Sequence, residues 1–160
     1  MKSLELKKQP IVKTEMIIRK PATEVFEAFI NPQITTKFWF TKSTGRLQAG
    51  KQVTWEWEMY NVSTHVNVKK IEENKRILIE WGSAGDVTTV EWIFTPYSND
   101  KTDVTITNSG FQGDGDAIVA QALDSTGGFT TVLDGAKAWL EYKINLNLIL
   151  DKFPTGLTGH

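Results

Sequence analysis

Residues 53–59 read Val53-Thr54-Trp55-Glu56-Trp57-Glu58-Met59, apolar and polar side chains in strict alternation. In an extended strand successive side chains point to opposite faces, so Val53, Trp55, Trp57 and Met59 share one face while Thr54 and the glutamates take the other. That is the signature of a half-buried strand in an antiparallel sheet. The same period recurs downstream in Val62, Thr64, Val66 and Val68, in Ile77, Ile79 and Trp81, in Thr88, Val90, Trp92 and Phe94, and in Val104, Ile106 and Asn108. Turn residues separate these runs: Tyr60-Asn61, Glu73-Asn74-Lys75, Gly82 to Asp86, and Pro96 to Lys101. Upstream, Gly45 to Gln48 reads as a short strand with Ala49-Gly50-Lys51 as its turn, and residues 11–18 read as a first strand. About seven strands in meander order, with no helix between strands two and seven, make an antiparallel sheet.

Helical spacing brackets the sheet. Pro21 opens a helix carrying Ala22, Val25, Phe26, Phe29 and Ile30 on one stripe, and Asn31-Pro32 ends it. A second short helix over about 33–39 carries Phe38 and Trp39 toward the core. After Gly113-Asp114-Gly115-Asp116, with Asp116 the expected N-cap, a short helix over 117–124 precedes a long one from about Ser125 to Lys152. The long stripe is Phe129, Val132, Leu133, Ala136, Leu140, Ile144 and Leu148. Gly127 and Gly128, placed in its first turn, suggest close approach to another element or to a ligand. The economical assembly is an α+β fold in which the sheet curls around the long helix and the early helices plug one end. Such a sheet encloses space, which the protein's own side chains or a guest can fill.

The 160 residues form one domain by size, with 40% hydrophobic and 23% charged residues. A net charge of -1 gives no overall field for nucleic acid or an anionic membrane. The absence of cysteine rules out disulfides and thiol catalysis and fits a cytoplasmic location. The charged N-terminus lacks the apolar core of a signal peptide, and no apolar run reaches transmembrane length. The expected divisions are an N-terminal extension over 1–10, the domain over 11–153, and a tail over 154–160.

Several segments together resemble the START-like superfamily (SRPBCC, birch-pollen-allergen-like), and within it the branch of the activator of heat-shock protein 90 ATPase homologues. They are Ile18 to Phe29, the Phe38-Trp39-Phe40 segment after Asn31-Pro32, Gly45 to Gly50, Glu91 to Pro96, Thr102 to Phe111, and Gly128 to Glu141. The resemblance covers about residues 11–152 and implies the helix-grip fold, a curved seven-stranded antiparallel sheet wrapped around a long C-terminal helix. Phe129 stands where a Trp is usual and Asn108 where a His is frequent. Gly135-Ala136 lightens the middle of the helix. The Asn108 and Gly135-Ala136 departures are expected to alter cavity polarity and volume.

The expected cavity lining is Trp39, Trp55, Trp57, Trp81, Trp92, Phe94, Asn108, Phe111, Phe129 and Leu133. The aromatics would supply area, while Asn108 and the indole N–H groups would orient a polar end. His65 falls on the outer face by parity, and His160 is the one other histidine, so no histidine-rich metal site is available. Asp114 and Asp116 read as turn and capping residues, and Glu56/Glu58 as a solvated strand face. Gly113-x-Gly115 lacks the rest of a phosphate fingerprint, and the pairs Lys7-Lys8 and Lys69-Lys70 are too small for a nucleic-acid footprint. The leading expectation is a binding protein for a small apolar or amphipathic ligand, lipid-like or aromatic, with no cofactor or metal, acting as monomer or homodimer. The resemblance implies two alternatives: a stress-related co-chaperone-like module with a chaperone partner, and a cyclase- or hydrolase-type enzyme.

Overall fold

The alternation of residues 53–94 becomes a continuous sheet in the computed structural model, which describes residues 4–155. His160 and most of the expected tail lie outside the described residues. The strands are β1 Val12–Ile18, β2 Lys42–Ser43, β3 Gln52–Trp57, β4 Val62–Glu72, β5 Arg76–Trp81, β6 Thr88–Ser98 and β7 Lys101–Ser109. They form one antiparallel sheet in the order β1-β7-β6-β5-β4-β3-β2. The first strand thus closes the meander by pairing with the last, Val12 opposite Asn108 and Ile18 opposite Thr102. This is the expected seven-stranded helix-grip architecture. Two details differ. The second strand is Lys42–Ser43, opposite Trp55 and Glu56, and not Gly45 to Gln48. Trp57 ends β3, because Glu58–Tyr60 turns into a 3-10 helix and Asn61 takes a left-handed conformation (φ 52°).

Parity holds along the inward face until a bulge. Val66 and Val68 are buried, the register shifts between Val68 and Lys70, and Ile71 then turns inward in place of Lys70. The extra residue leaves Lys69 and Lys70 exposed together, which accounts for that basic pair.

Helix α1 spans Ala22–Ile30, with Pro21 at the N-cap in extended conformation. Helix α2 is a single turn, Pro32–Thr35, whose N-cap Asn31 accepts from the Gln33 N–H at 3.0 Å. These two helices and the following Phe38-Trp39-Phe40 pack into one end of the curled sheet, with Phe26 and Phe29 edge-on or tilted against Phe94.

The long helix α3 runs unbroken over Gly115–Tyr142. The expected division near residue 125 is absent, and Gly127 and Gly128 lie mid-helix. Thr126, Thr130 and Thr131 each return their hydroxyl to the carbonyl four residues back, satisfying themselves without leaving the helix. The N-cap is Asp114, accepting from Ala117 N at 2.9 Å, and not Asp116, whose carboxylate receives Leu4 N. At the other end Lys143 adopts φ 56° and stops the helix ten residues short of the expected limit of Lys152. Ile144 is consequently exposed, and Leu148 belongs to a separate helix, α4, Leu148–Lys152. Gly135 lies against Phe38, 3.0 Å separating a hypothetical Cβ from the Phe38 Cβ. That glycine therefore fits the plug to the helix and does not enlarge a cavity, contrary to the sequence expectation.

Helix α3 is tied to β1 by Glu141, whose carboxylate accepts from Arg19 N at 2.9 Å and from Lys137 Nζ, which also donates to the Ile17 carbonyl. Burial pushes this carboxyl up, but the Arg19 N–H and the Lys137 ammonium outweigh burial and hold it below the ordinary 4.5. A depressed folded pKa contributes stability that is complete above the unfolded value and fades as pH falls through the folded one. Glu141→Gln is therefore expected to lose about 1–3 kcal/mol at pH 7, from charge-assisted hydrogen bonds. Urea unfolding across pH should show that deficit shrinking as pH falls below the ordinary 4.5.

Candidate functional site

A cavity of about 690 Å³ opens between α3 and one end of strands β3 to β7. Its position follows from the register. Trp81 at the end of β5 pairs with Thr88 at the start of β6, and Asn108 near the end of β7 pairs with Val90. Trp57, Val62, Trp81, Thr88, Asn108 and Phe111 make the sheet wall. The helix wall is Gln121, Asp124, Ser125, Gly128, Phe129 and Val132, a face of α3 at spacings of three and four. Trp39 closes the inner end, while Tyr60, Ile149 and Phe153 frame the mouth. The Tyr60 hydroxyl lies 3.1 Å from the Ile149 carbonyl and also against that of Phe153, joining the turn after β3 to α4. Burial pushes the Tyr60 phenol up, so it stays a neutral donor.

Trp39 organises the aromatic wall. Its ring lies within 4.8–6.4 Å of Phe40, Trp55, Trp57, Trp81, Trp92 and Phe129. Edge-to-face and tilted pairs of this kind add about 0.5–1.5 kcal/mol each beyond their buried area. The expected site residues divide into two sets. Trp39, Trp57, Trp81, Asn108, Phe111 and Phe129 come together on the cavity. Trp55, Trp92, Phe94 and Leu133 lie behind it in the core, each no more than 2% exposed. Trp55 stacks on Phe40 with centroids 4.6 Å apart, and the Trp92 Nε1 finds no acceptor among the described residues. Trp139 lies elsewhere, its ring 5.6 Å from both the Lys37 and Lys143 ammonium groups.

The polar corner is a connected set. Asn108, 3% exposed, donates through Nδ2 to Thr88 Oγ1 at 3.0 Å and to the Thr89 carbonyl at 2.9 Å. Its Oδ1 accepts from Ser125 Oγ at 2.8 Å, and Trp81 Nε1 donates to Thr88 Oγ1 at 3.2 Å. Two of the expected orienting groups, the Asn108 amide N–H and the Trp81 indole, are thus turned onto protein partners. Thr88 and Ser125 were outside the sequence expectation, although Thr88 shares inward parity with Val90 and Trp92. Tyr60, Ile149 and Phe153 carry no such local signal, since only the tertiary fold gathers them. His65 is on the outer face, its Nδ1 3.3 Å from Thr54 Oγ1. Asp124 is an exposed carboxylate at the rim.

The family model described as Activator of Hsp90 ATPase homolog 1-like protein matches residues 19–141. The chain belongs to that family. Among solved structures, a protein from Staphylococcus saprophyticus is 29% identical to this family member, with a TM-score of 0.73 over 86% of this chain and 96% of that one. The Aha1 dimer from Colwellia psychrerythraea is 15% identical, with a TM-score of 0.71 over 83% of this chain and 97% of that one. DynU16, a protein in the dynemicin biosynthetic locus, is 18% identical with a TM-score of 0.74, over 84% of this chain and 48% of that one. The last two likenesses are of fold. No curated protein sequence matches this chain. Among the described residues, no helix is long and apolar enough to cross a membrane.

Proposed function

We propose that this chain is a binding protein for a small apolar or amphipathic molecule, lodged between the sheet and α3. The observation that carries the reading is the cavity itself: about 690 Å³, walled by Trp39, Trp57, Trp81 and Phe129, with one polar corner at Thr88, Asn108 and Ser125. Volume of that size, mostly apolar lining and a few convergent polar groups are the general properties of small-molecule sites. Membership of a helix-grip family supports the same reading. Three cavity tryptophans also supply the assay. Titration with a panel of lipids and polycyclic aromatic ketones is expected to give a saturable change in tryptophan emission, and mass spectrometry of extracted protein to find a co-purified small molecule. No emission change with any compound, together with clean extracts, overturns the proposal.

A further inference from the structure

The hydrogen bonds at the polar corner determine what kind of guest it accepts, and this inference rests on the binding reading above. A threonine hydroxyl has one donor and two acceptor lone pairs. Both acceptor positions of Thr88 Oγ1 are occupied, by Trp81 Nε1 and by Asn108 Nδ2. The amide orientation of Asn108 is fixed, because the group facing the Thr89 carbonyl at 2.9 Å must be a donor. The Thr88 O–H is therefore left with no acceptor among the described residues, on a residue 9% exposed that lines the cavity. Ser125 is the complement: its O–H is turned onto Asn108 Oδ1, leaving its lone pairs to accept. Lys, Arg and His are absent from the described lining, and Asp124 sits at the rim. An anionic head group would thus be buried without a countercharge, which is strongly unfavourable.

We propose that the cavity selects a neutral, mostly apolar guest bearing a carbonyl-type oxygen, and that the Thr88 hydroxyl donates to that oxygen. Thr88 is then the residue that discriminates a ketone from its hydrocarbon counterpart. A guest lacking the oxygen forgoes the net gain of one neutral hydrogen bond, about three- to tenfold in affinity. Trp39 and Trp57 lie elsewhere on the wall, so a contribution from their indole N–H groups would survive replacement of Thr88.

The test uses three probes of nearly one shape: 2-acetylnaphthalene, 2-isopropenylnaphthalene, in which C=CH2 replaces C=O, and 2-naphthoate. Dissociation constants are measured for the full chain, Thr88→Val and Thr88→Ser. The expected result is a ketone-to-alkene affinity ratio that falls about three- to tenfold in Thr88→Val, is kept in Thr88→Ser, and leaves naphthoate the weakest ligand of the unaltered chain. A ratio unchanged by Thr88→Val overturns the inference while the cavity reading stands, as does tighter binding of naphthoate. Failure of all three probes to bind overturns the inference alone, because the binding reading falls only if the wider lipid and ketone panel and the extracts are also negative. Should Thr88→Val not fold, isotope-edited infrared spectra of bound 2-acetylnaphthalene serve instead. The carbonyl band is expected below its position in hexane, and a hexane-like band overturns the inference.

Discussion

Gly128→Leu is expected to make the protein more stable and, at the same time, a weaker binder of its guest. Gly128 lies on the cavity face of α3, and a Cβ placed there meets nothing within 4 Å. Replacing a mid-helix glycine by leucine recovers about 1 kcal/mol of helix propensity. For a chain of this size that corresponds to a rise of about 2–4 °C in Tm, before any gain from burying the new side chain. The isobutyl group then occupies space the guest needs, and affinity should fall at least about tenfold, the equivalent of 1.4 kcal/mol. Gly127→Ala is the matched control. A Cβ at Gly127 meets Lys152 Nζ at 3.7 Å, an ordinary contact away from the cavity. It should give a similar stabilisation with binding intact. Thermal unfolding and emission titration of the two variants separate a cavity effect from a helix effect. Equal binding by both would mean that the guest sits elsewhere.

Phe129→Ala should produce a large loss of stability. Phe129 is 4% exposed and its ring packs within 6.3 Å of Trp39, Trp81 and Trp92. Truncating a buried phenylalanine costs about 3–5 kcal/mol, and the lower end applies here because one side of the ring already faces open space. The distinguishing consequence concerns ligand. The vacated volume adds to an accessible cavity, so a bulky aromatic guest should restore part of the lost Tm as its concentration rises. Leu133→Ala, one turn along α3 at a residue that is fully buried and off the cavity, should lose stability without such rescue. Scanning calorimetry with and without 2-acetylnaphthalene reads both outcomes.

The sheet was legible because period-two alternation runs through β3 to β7 apart from the bulge after Val68, and the pairing of β1 with β7 completes what the meander implied. What alternation does not carry was missed. Strand β2 is two residues long and has no period to read. The end of α3 was hidden because Ile144 and Leu148 continue the helical stripe in sequence, whereas Lys143 ends α3 and Asn147 opens α4, both in left-handed backbone conformations. Asparagines at 145 and 147 favour that departure, Asn145 Oδ1 accepting from Asn147 N at 2.9 Å.

For the site, parity brought the aromatic side chains to one face but said nothing about depth along it. Trp55 and Trp57 share a face two residues apart, yet Trp55 is packed beneath Phe40 and Trp57 borders open space. That difference depends on where the plug of α1 and α2 ends and where α3 lies over the sheet. Thr88 was in the inward series from the start, a polar residue at a core position. Its meaning emerged only with Asn108, Trp81 and Ser125 around it.

The six tryptophans give the most direct test of the central claim, because their indole N–H signals report separately in a two-dimensional nitrogen–proton NMR spectrum. Titration with 2-acetylnaphthalene is expected to move the signals of Trp39, Trp57 and Trp81 most, those of Trp55 and Trp92 less, and to leave Trp139 in place. Unmoved signals at Trp39, Trp57 and Trp81, or a response centred on Trp139, would contradict a guest held between the sheet and α3.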